Sequence, residues 1–128
     1  MVRYLADSDV LIWVLRARHD TVALLGRLAD DTGEPIACSA LSVLEVWSGI
    51  KPPEASKTSL FLDALEVLPV DRPIARLAAD LLRAAKRPRG PREWGDAVIA
   101  ATALSHQLTL LTYNRKDYPY PNLALYPL

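Results

Sequence analysis

Short apolar runs, none longer than a strand, alternate along this chain with segments of helical periodicity, and that alternation restricts the fold to the α/β class. Residues 2–6, 36–38, 66–70 and 108–112 read as strands, and residues 123–126 as a candidate last one. Between them, residues 10–15, 21–28, 39–50, 59–65 and 96–106 read as helices, and so does the segment from Ile74 to Ala85. In the second of these, Val22, Leu25 and Leu28 are expected on one buried face, and the turn cluster of residues 30–35 is expected to end it. From Ile74, the apolar residues Leu77, Ala78, Leu81, Leu82 and Ala85 follow three- and four-residue steps. Lys51-Pro52-Pro53 interrupts one helix, and residues 86–92 form a Pro/Gly/Arg loop. The prediction is one domain over residues 1–128: a three-layer sandwich with a short, mostly parallel central sheet flanked by helices. Sites in such folds lie beyond the carboxyl ends of the strands.

The chain has 128 residues, 51% of them hydrophobic, which supports one real core and argues against a disordered chain. Fifteen basic and fifteen acidic side chains balance, so any attraction to nucleic acid must come from local patches. Cys38 is the single cysteine. It excludes an internal disulfide and a thiolate-rich zinc site, and it reads as a small core residue. The N-terminal run meets Asp7 too early for a signal peptide, and no apolar run approaches the length of a bilayer span. The expected location is the cytoplasm, with no membrane association.

Acids punctuate the apolar elements. Asp7 and Asp9 follow the first strand, Glu45 lies in the helix after the second, Asp96 is expected to open the alanine-rich helix, and Asp117 follows the strand at 108–112. Each has a plain structural explanation. Asp7, Ser8 and Asp9 suit a helix cap. Ser42 and Glu45 have capping-box spacing, although the helix is expected to start nearer Ser39. Asp96 suits a helix N-terminus, and Asp117 suits a turn. Glu45, flanked by Leu44, Val46 and Trp47, reads as a carboxylate on an apolar face that needs a partner. Together, acids converging from separate elements repel one another unless a cation neutralises them. Oxygen donors without His or Cys suit Mg²⁺ or Mn²⁺, the ions of phosphate-ester chemistry.

These residues resemble the motifs of the PIN-domain family, and the chain is similar to its bacterial VapC-type toxin branch. Residues 4–12, YLADSDVLI, resemble the opening motif, with Asp7 as the first metal-binding acid, Ser8 as its helping hydroxyl and Asp9 in the usual Asn position. Residues 39–49, SALSVLEVWSG, supply Glu45, and residues 95–103, GDAVIAATA, supply Asp96. Residues 108–118, LTLLTYNRKDY, resemble the closing motif. There Asn114 aligns with the family's frequent fourth acid, and Asp117 lies three residues further on. The resemblance implies a Mg²⁺- or Mn²⁺-dependent endoribonuclease that leaves a 5′-phosphate and a 3′-hydroxyl. It would be the toxin of a type II toxin–antitoxin pair. Asp7, Glu45 and Asp96 would be both metal-binding and catalytic, and Asn114 or Asp117 would complete the metal site. Transfer, ribosomal and messenger RNA all remain open as targets.

The resemblance further implies a cognate antitoxin, whose C-terminal segment enters a hydrophobic groove near the early helices, and a homodimer. Trp13 and Trp47 are candidates for that groove, although core packing is the commoner role for Trp13, Trp47 and Trp94. Lys86, Arg87, Arg89 and Arg92 precede Asp96, and Arg115 and Lys116 flank the last motif. These are candidate RNA phosphate contacts, against the plainer reading of a solvated loop. His106 reads as a helix end. Two rival readings remain. One is a non-catalytic PIN-like RNA-binding module, left open by Asn114. The other is a haloacid dehalogenase-type phosphatase, suggested by the Asp-x-Asp pair but lacking that family's downstream residues.

Overall fold

The structure, a computed structural model, describes residues 3–128; the expected strand start at residue 2 lies outside them. Four three-residue strands, β1 (Tyr4–Ala6), β2 (Ala37–Ser39), β3 (Glu66–Leu68) and β4 (Thr109–Leu111), form one parallel sheet in the order β3-β2-β1-β4. Register is set by Leu5 opposite Ala37 and Leu110, and by Cys38 opposite Val67. The segment expected as a last strand contributes a single parallel bridge from Leu125 to Leu110 and extends no further.

Strand side chains alternate between faces, and the two halves of the core follow from that alternation. Leu5, Ala37 and Leu110 face α5 (Arg72–Ala84) and α6 (Pro91–Ser105). Ala6, Cys38 and Leu111 face the opposite layer, built on α1 (Ser8–Leu15), α2 (His19–Thr32), α3 (Ala40–Gly49) and α4 (Ala55–Asp63). Cys38 is fully buried, as expected. The alanines of α6 let it lie close against Ile74 and Ala78 of α5, all within one cluster of buried side chains. His106 ends α6 as its C-cap.

Several boundaries differ from expectation. Helix α2 runs through Asp30, Asp31 and Thr32 and stops only at Gly33, whose φ of 67° closes the turn. Its buried face is Thr21, Leu24, Leu25 and Leu28, while Val22 is exposed. The Lys51-Pro52-Pro53 break is a 3₁₀ turn, Pro52–Glu54, that leads directly into α4. Helix α6 begins at Pro91, with Gly90 as its N-cap, so Asp96 lies in the second turn rather than at the helix start. Proline is preorganised for the first helical position, which explains the earlier start.

Candidate active site

The sheet order reverses direction at β1, and the crevice between the carboxyl ends of β1 and β4 is where such folds bind ligands. A cavity of ≈ 330 Å³ opens there. Its walls carry five carboxylates, those of Asp7, Asp9, Glu45, Asp96 and Asp117, against two cations, Arg92 and Lys116; Ser8 and Asn114 complete the polar lining.

Asp7 follows β1 directly and caps α1. Its Oδ1 accepts the Ser8 amide at 2.7 Å, and its Oδ2 accepts the Thr112 hydroxyl from beyond β4 at 2.8 Å. The cap reading and the site reading of Asp7 therefore both hold in one geometry. Asp9 accepts the Val10 amide at Oδ1, and at Oδ2 the Tyr113 amide at 3.0 Å and the Asn114 Nδ2 at 3.2 Å. Its side chain thus ties α1 to the end of β4.

Glu45 does not sit on an apolar buried face as expected. The buried side of α3 is Ser42 and Val46, and Glu45 is exposed at the mouth of the cavity. Ser39, not Ser42, caps α3, which removes the capping-box reading of Glu45. Instead, the Ser8 Oγ lies 2.8 Å from both the Glu45 Oε1 and the Ser42 Oγ. A carboxylate only accepts, so Ser8 donates to Glu45 and receives from Ser42. Asp96 projects from α6 with one oxygen, Oδ2, buried and without a hydrogen-bond partner. Asp117 is engaged by Arg92, whose Nη2 reaches both carboxylate oxygens at 3.0 and 3.1 Å.

The electrostatics follow from this crowding. Burial, then the Asp7 charge, pushes Asp9 up to about 6. Burial, then the charges of Asp7 and Asp117, pushes Asp96 up to about 7, against the pull of Arg92 and Arg87. Asp7 is also raised, because desolvation outweighs the hydrogen bonds from Thr112 and Ser8. Burial likewise raises Tyr118, which is packed beside Asp7. Among the described residues, no three His, Cys, Asp or Glu side chains stand close enough to grip one ion without a side-chain rotation. The residues nevertheless fit a hard divalent cation. Every donor is oxygen, the carboxylates outnumber the cations, and Asp96 Oδ2 is a buried acceptor with nothing to accept from.

Sequence reasoning missed Thr112 and Tyr118 and gave Ser42 only a helix-capping role. The available signal was polarity at the buried ends of apolar elements: Ser42 and Thr112 are both fully buried. The remaining candidates separate. Arg92 and Lys116 line the acid cavity, whereas Arg87 and Arg89 line a different one. Arg115 lines neither, and its Nη1 donates to the Tyr126 carbonyl. Trp13 and Trp47 lie in different surroundings. Trp13 lies under the guanidinium of Arg18, 5.0 Å away, which also stacks on Tyr113 at 4.7 Å. Trp47 lines a pocket with Val43, Leu62 and Val67, and a small cleft between α1 and α3 is lined instead by Ile12, Leu15, Val46 and Ile50. All three tryptophans are at least 38% exposed, which corrects the core-packing reading. No helix among the described residues is long and apolar enough to cross a membrane.

The family model for the PIN domain matches residues 4–119. Ribonuclease VapC10 of Mycobacterium tuberculosis is 35% identical over 126 residues, covering 90% of this chain and 85% of the relative. Ribonuclease VapC19 of the same species is 31% identical over 120 residues, covering 93% and 95%. Among solved structures, a toxin–antitoxin complex from Klebsiella pneumoniae superposes with a TM-score of 0.81 at 26% identity, covering 98% of each chain. VapBC2 from Rickettsia felis, bound to a DNA fragment from its promoter, superposes at 0.79 with 24% identity and the same coverage. An open acid cavity at the sheet's switch point and a match along nearly the full length lead to one assignment: the chain belongs to the PIN domain family.

Proposed function

We propose that this chain is a divalent-metal-dependent endoribonuclease and the toxin of a toxin–antitoxin pair. The observation that carries the reading is the convergence of Asp7, Glu45 and Asp96, from three separate elements, on one cavity at the carboxyl edge of the sheet. The ribonuclease and toxin–antitoxin names of the relatives support the substrate class and the partner. Asp7, Glu45 and Asp96 are the proposed holders of Mg²⁺ or Mn²⁺, with Asn114 and Asp117 as supplementary oxygen donors. When bound, such an ion withdraws charge from the phosphodiester and acidifies water.

The chain's own residues do the positioning. Thr112 donates to Asp7 and Ser8 to Glu45, so each carboxylate turns toward the ion from a hydrogen-bonded starting position. Asp9 fixes the loop after β4 and places Asn114 on the rim. Arg92 and Lys116, the two cations of the cavity, are placed to take the phosphate oxygens that flank the cut. Product polarity is a 5′-phosphate and a 3′-hydroxyl. The proposal includes a homodimer and an antitoxin segment seated against the early helices, and the buried Cys38 thiol fits a reducing cytoplasm.

The test is cleavage of single-stranded RNA by the purified chain with Mg²⁺, with Mn²⁺ and with chelator, alongside Asp7→Asn and Asp96→Asn. Cleavage that needs the cation and disappears in both variants is expected. Wild-type rates in purified, folded Asp7→Asn would sink the assignment. One observation favours a second reading, a non-catalytic RNA-binding module: Arg92 already neutralises Asp117. Calorimetric titration with Mn²⁺ separates the two, because a dead module takes up no ion at the acids.

A further inference from the structure

The acid cavity leaves the basic segment before α6 unexplained. Residues 83–92 hold five cations and no acid, in a chain whose fifteen basic and fifteen acidic side chains balance only when this segment is included. A second cavity of ≈ 700 Å³, more than twice the volume of the acid-lined one, opens beside them. Arg83, Lys86, Arg87, Arg89 and Trp94 line it, over an apolar floor from α5. Arg83 is paired with Asp80, but among the described residues Lys86, Arg87 and Arg89 have no carboxylate partner. The Nε of Arg87 is buried without any hydrogen-bond partner. Trp94 is 52% exposed and presents part of its ring to this cavity.

The two cavities flank one helical turn. At ~100° per residue, Trp94 lies on the far side of α6 from Arg92 and Asp96, which share a face. Arg92 and Asp96 line the acid cavity, and Trp94 lines the basic one. A ligand occupying both must cross the width of a helix, ~10 Å, carrying negative charge at intervals and a flat apolar group. Single-stranded RNA has that make-up; duplex RNA cannot present a splayed base.

We propose that this basic cavity is a substrate subsite, in which Trp94 stacks one unpaired base beside the cut while Lys86, Arg87 and Arg89 hold the adjoining phosphates. The subsite rests on the ribonuclease reading and adds a requirement to it: the RNA must be unpaired on the side of the cut that crosses α6. Trp94 is then a binding residue for substrate, distinct from the acids that act on the phosphodiester.

The experiment measures fluorescence anisotropy of a labelled single-stranded RNA on the full chain carrying Asp7→Asn, so that binding is read without cleavage. Trp94→Ala is expected to weaken binding about 10-fold or more, and Trp94→Phe to restore most of it. Replacing Lys86, Arg87 and Arg89 together should lower the slope of log affinity against log salt by about 2. Lys86→Gly is the chosen change there, because Lys86 holds a left-handed backbone (φ 53°) that glycine adopts without strain. Unchanged affinity in folded Trp94→Ala, an unchanged salt slope, or equal competition by polyglutamate overturns the subsite. Cation-dependent cleavage by the unmutated chain is scored separately. Its absence with intact, Trp94-dependent binding removes the nuclease reading and reduces the cavity to an RNA-binding site with no cut beside it, whereas cleavage with an unchanged KM in Trp94→Ala removes the subsite alone.

Discussion

Both oxygens of Asp7 already have donors, so Ser8 and Thr112 decide how that carboxylate presents itself. Thr112→Val keeps the shape of the side chain and removes its donor. The expected loss is about 1–3 kcal/mol of stability from an unpaired buried oxygen, together with a 10–100-fold fall in cleavage rate. Urea denaturation and initial rates measure the two; an unaltered rate would show that Thr112 does not position Asp7. The raised acids make a second prediction. Asp96 titrates near 7 and Asp9 near 6 in the fold, against ~4 for an exposed aspartate. Between those values the folded chain keeps protons that the unfolded chain has lost, so stability without metal falls as pH rises from about 4 to 7. Tm recorded in chelator should decline across that window, and Asp96→Asn should flatten part of the decline. A flat wild-type profile would contradict the burial of these groups.

Helix ends are where sequence and structure diverged most, and the reasons are specific. The acids at 30 and 31 looked like a turn, yet they lie on the solvent side of α2 and cost the helix little until Gly33 turns it. The start of α6 was marked by Gly90-Pro91, but the charged residues between Pro91 and Asp96 masked it. The two glycines of α2 give a prediction of opposite signs. Neither has an atom within 4 Å of an added Cβ. Gly26 is mid-helix, so Gly26→Ala should stabilise by about 1 kcal/mol. Gly33 has φ 67°, so Gly33→Ala should destabilise by about 1 kcal/mol despite the open space. Chemical denaturation of the two variants checks this, and equal signs would refute the backbone argument.

For the whole molecule, the three-layer parallel architecture was legible because short apolar runs are local signals, and Asp7, Glu45 and Asp96 could be nominated because each lies in a contiguous sequence motif. The partners of those acids were not. Ser8 reaching Glu45 and Thr112 reaching Asp7 depend on which strands become neighbours, and no local pattern reports that. Exposure of Trp94 and the split of the basic residues between two cavities are likewise properties of packing. A cation at the proposed site binds only the assembled state. At 100 times its Kd, Mn²⁺ should stabilise the chain by about 2.7 kcal/mol, roughly 10 °C in Tm. Asp7→Asn should abolish the shift, and a shift that survives in it would place the ion elsewhere.

Strand β1 sits beside β4, and the hydroxyl and amide that steady Asp7 and Asp9 come from residues 112 and 113. A ribosome making this chain therefore delivers the first two acids about a hundred residues before their supports. Until β4 emerges and slots in next to β1, the nascent chain lacks an organised cutting centre. On the proposed nuclease function, the cutting centre is complete only once residues 109–113 have taken their place beside β1.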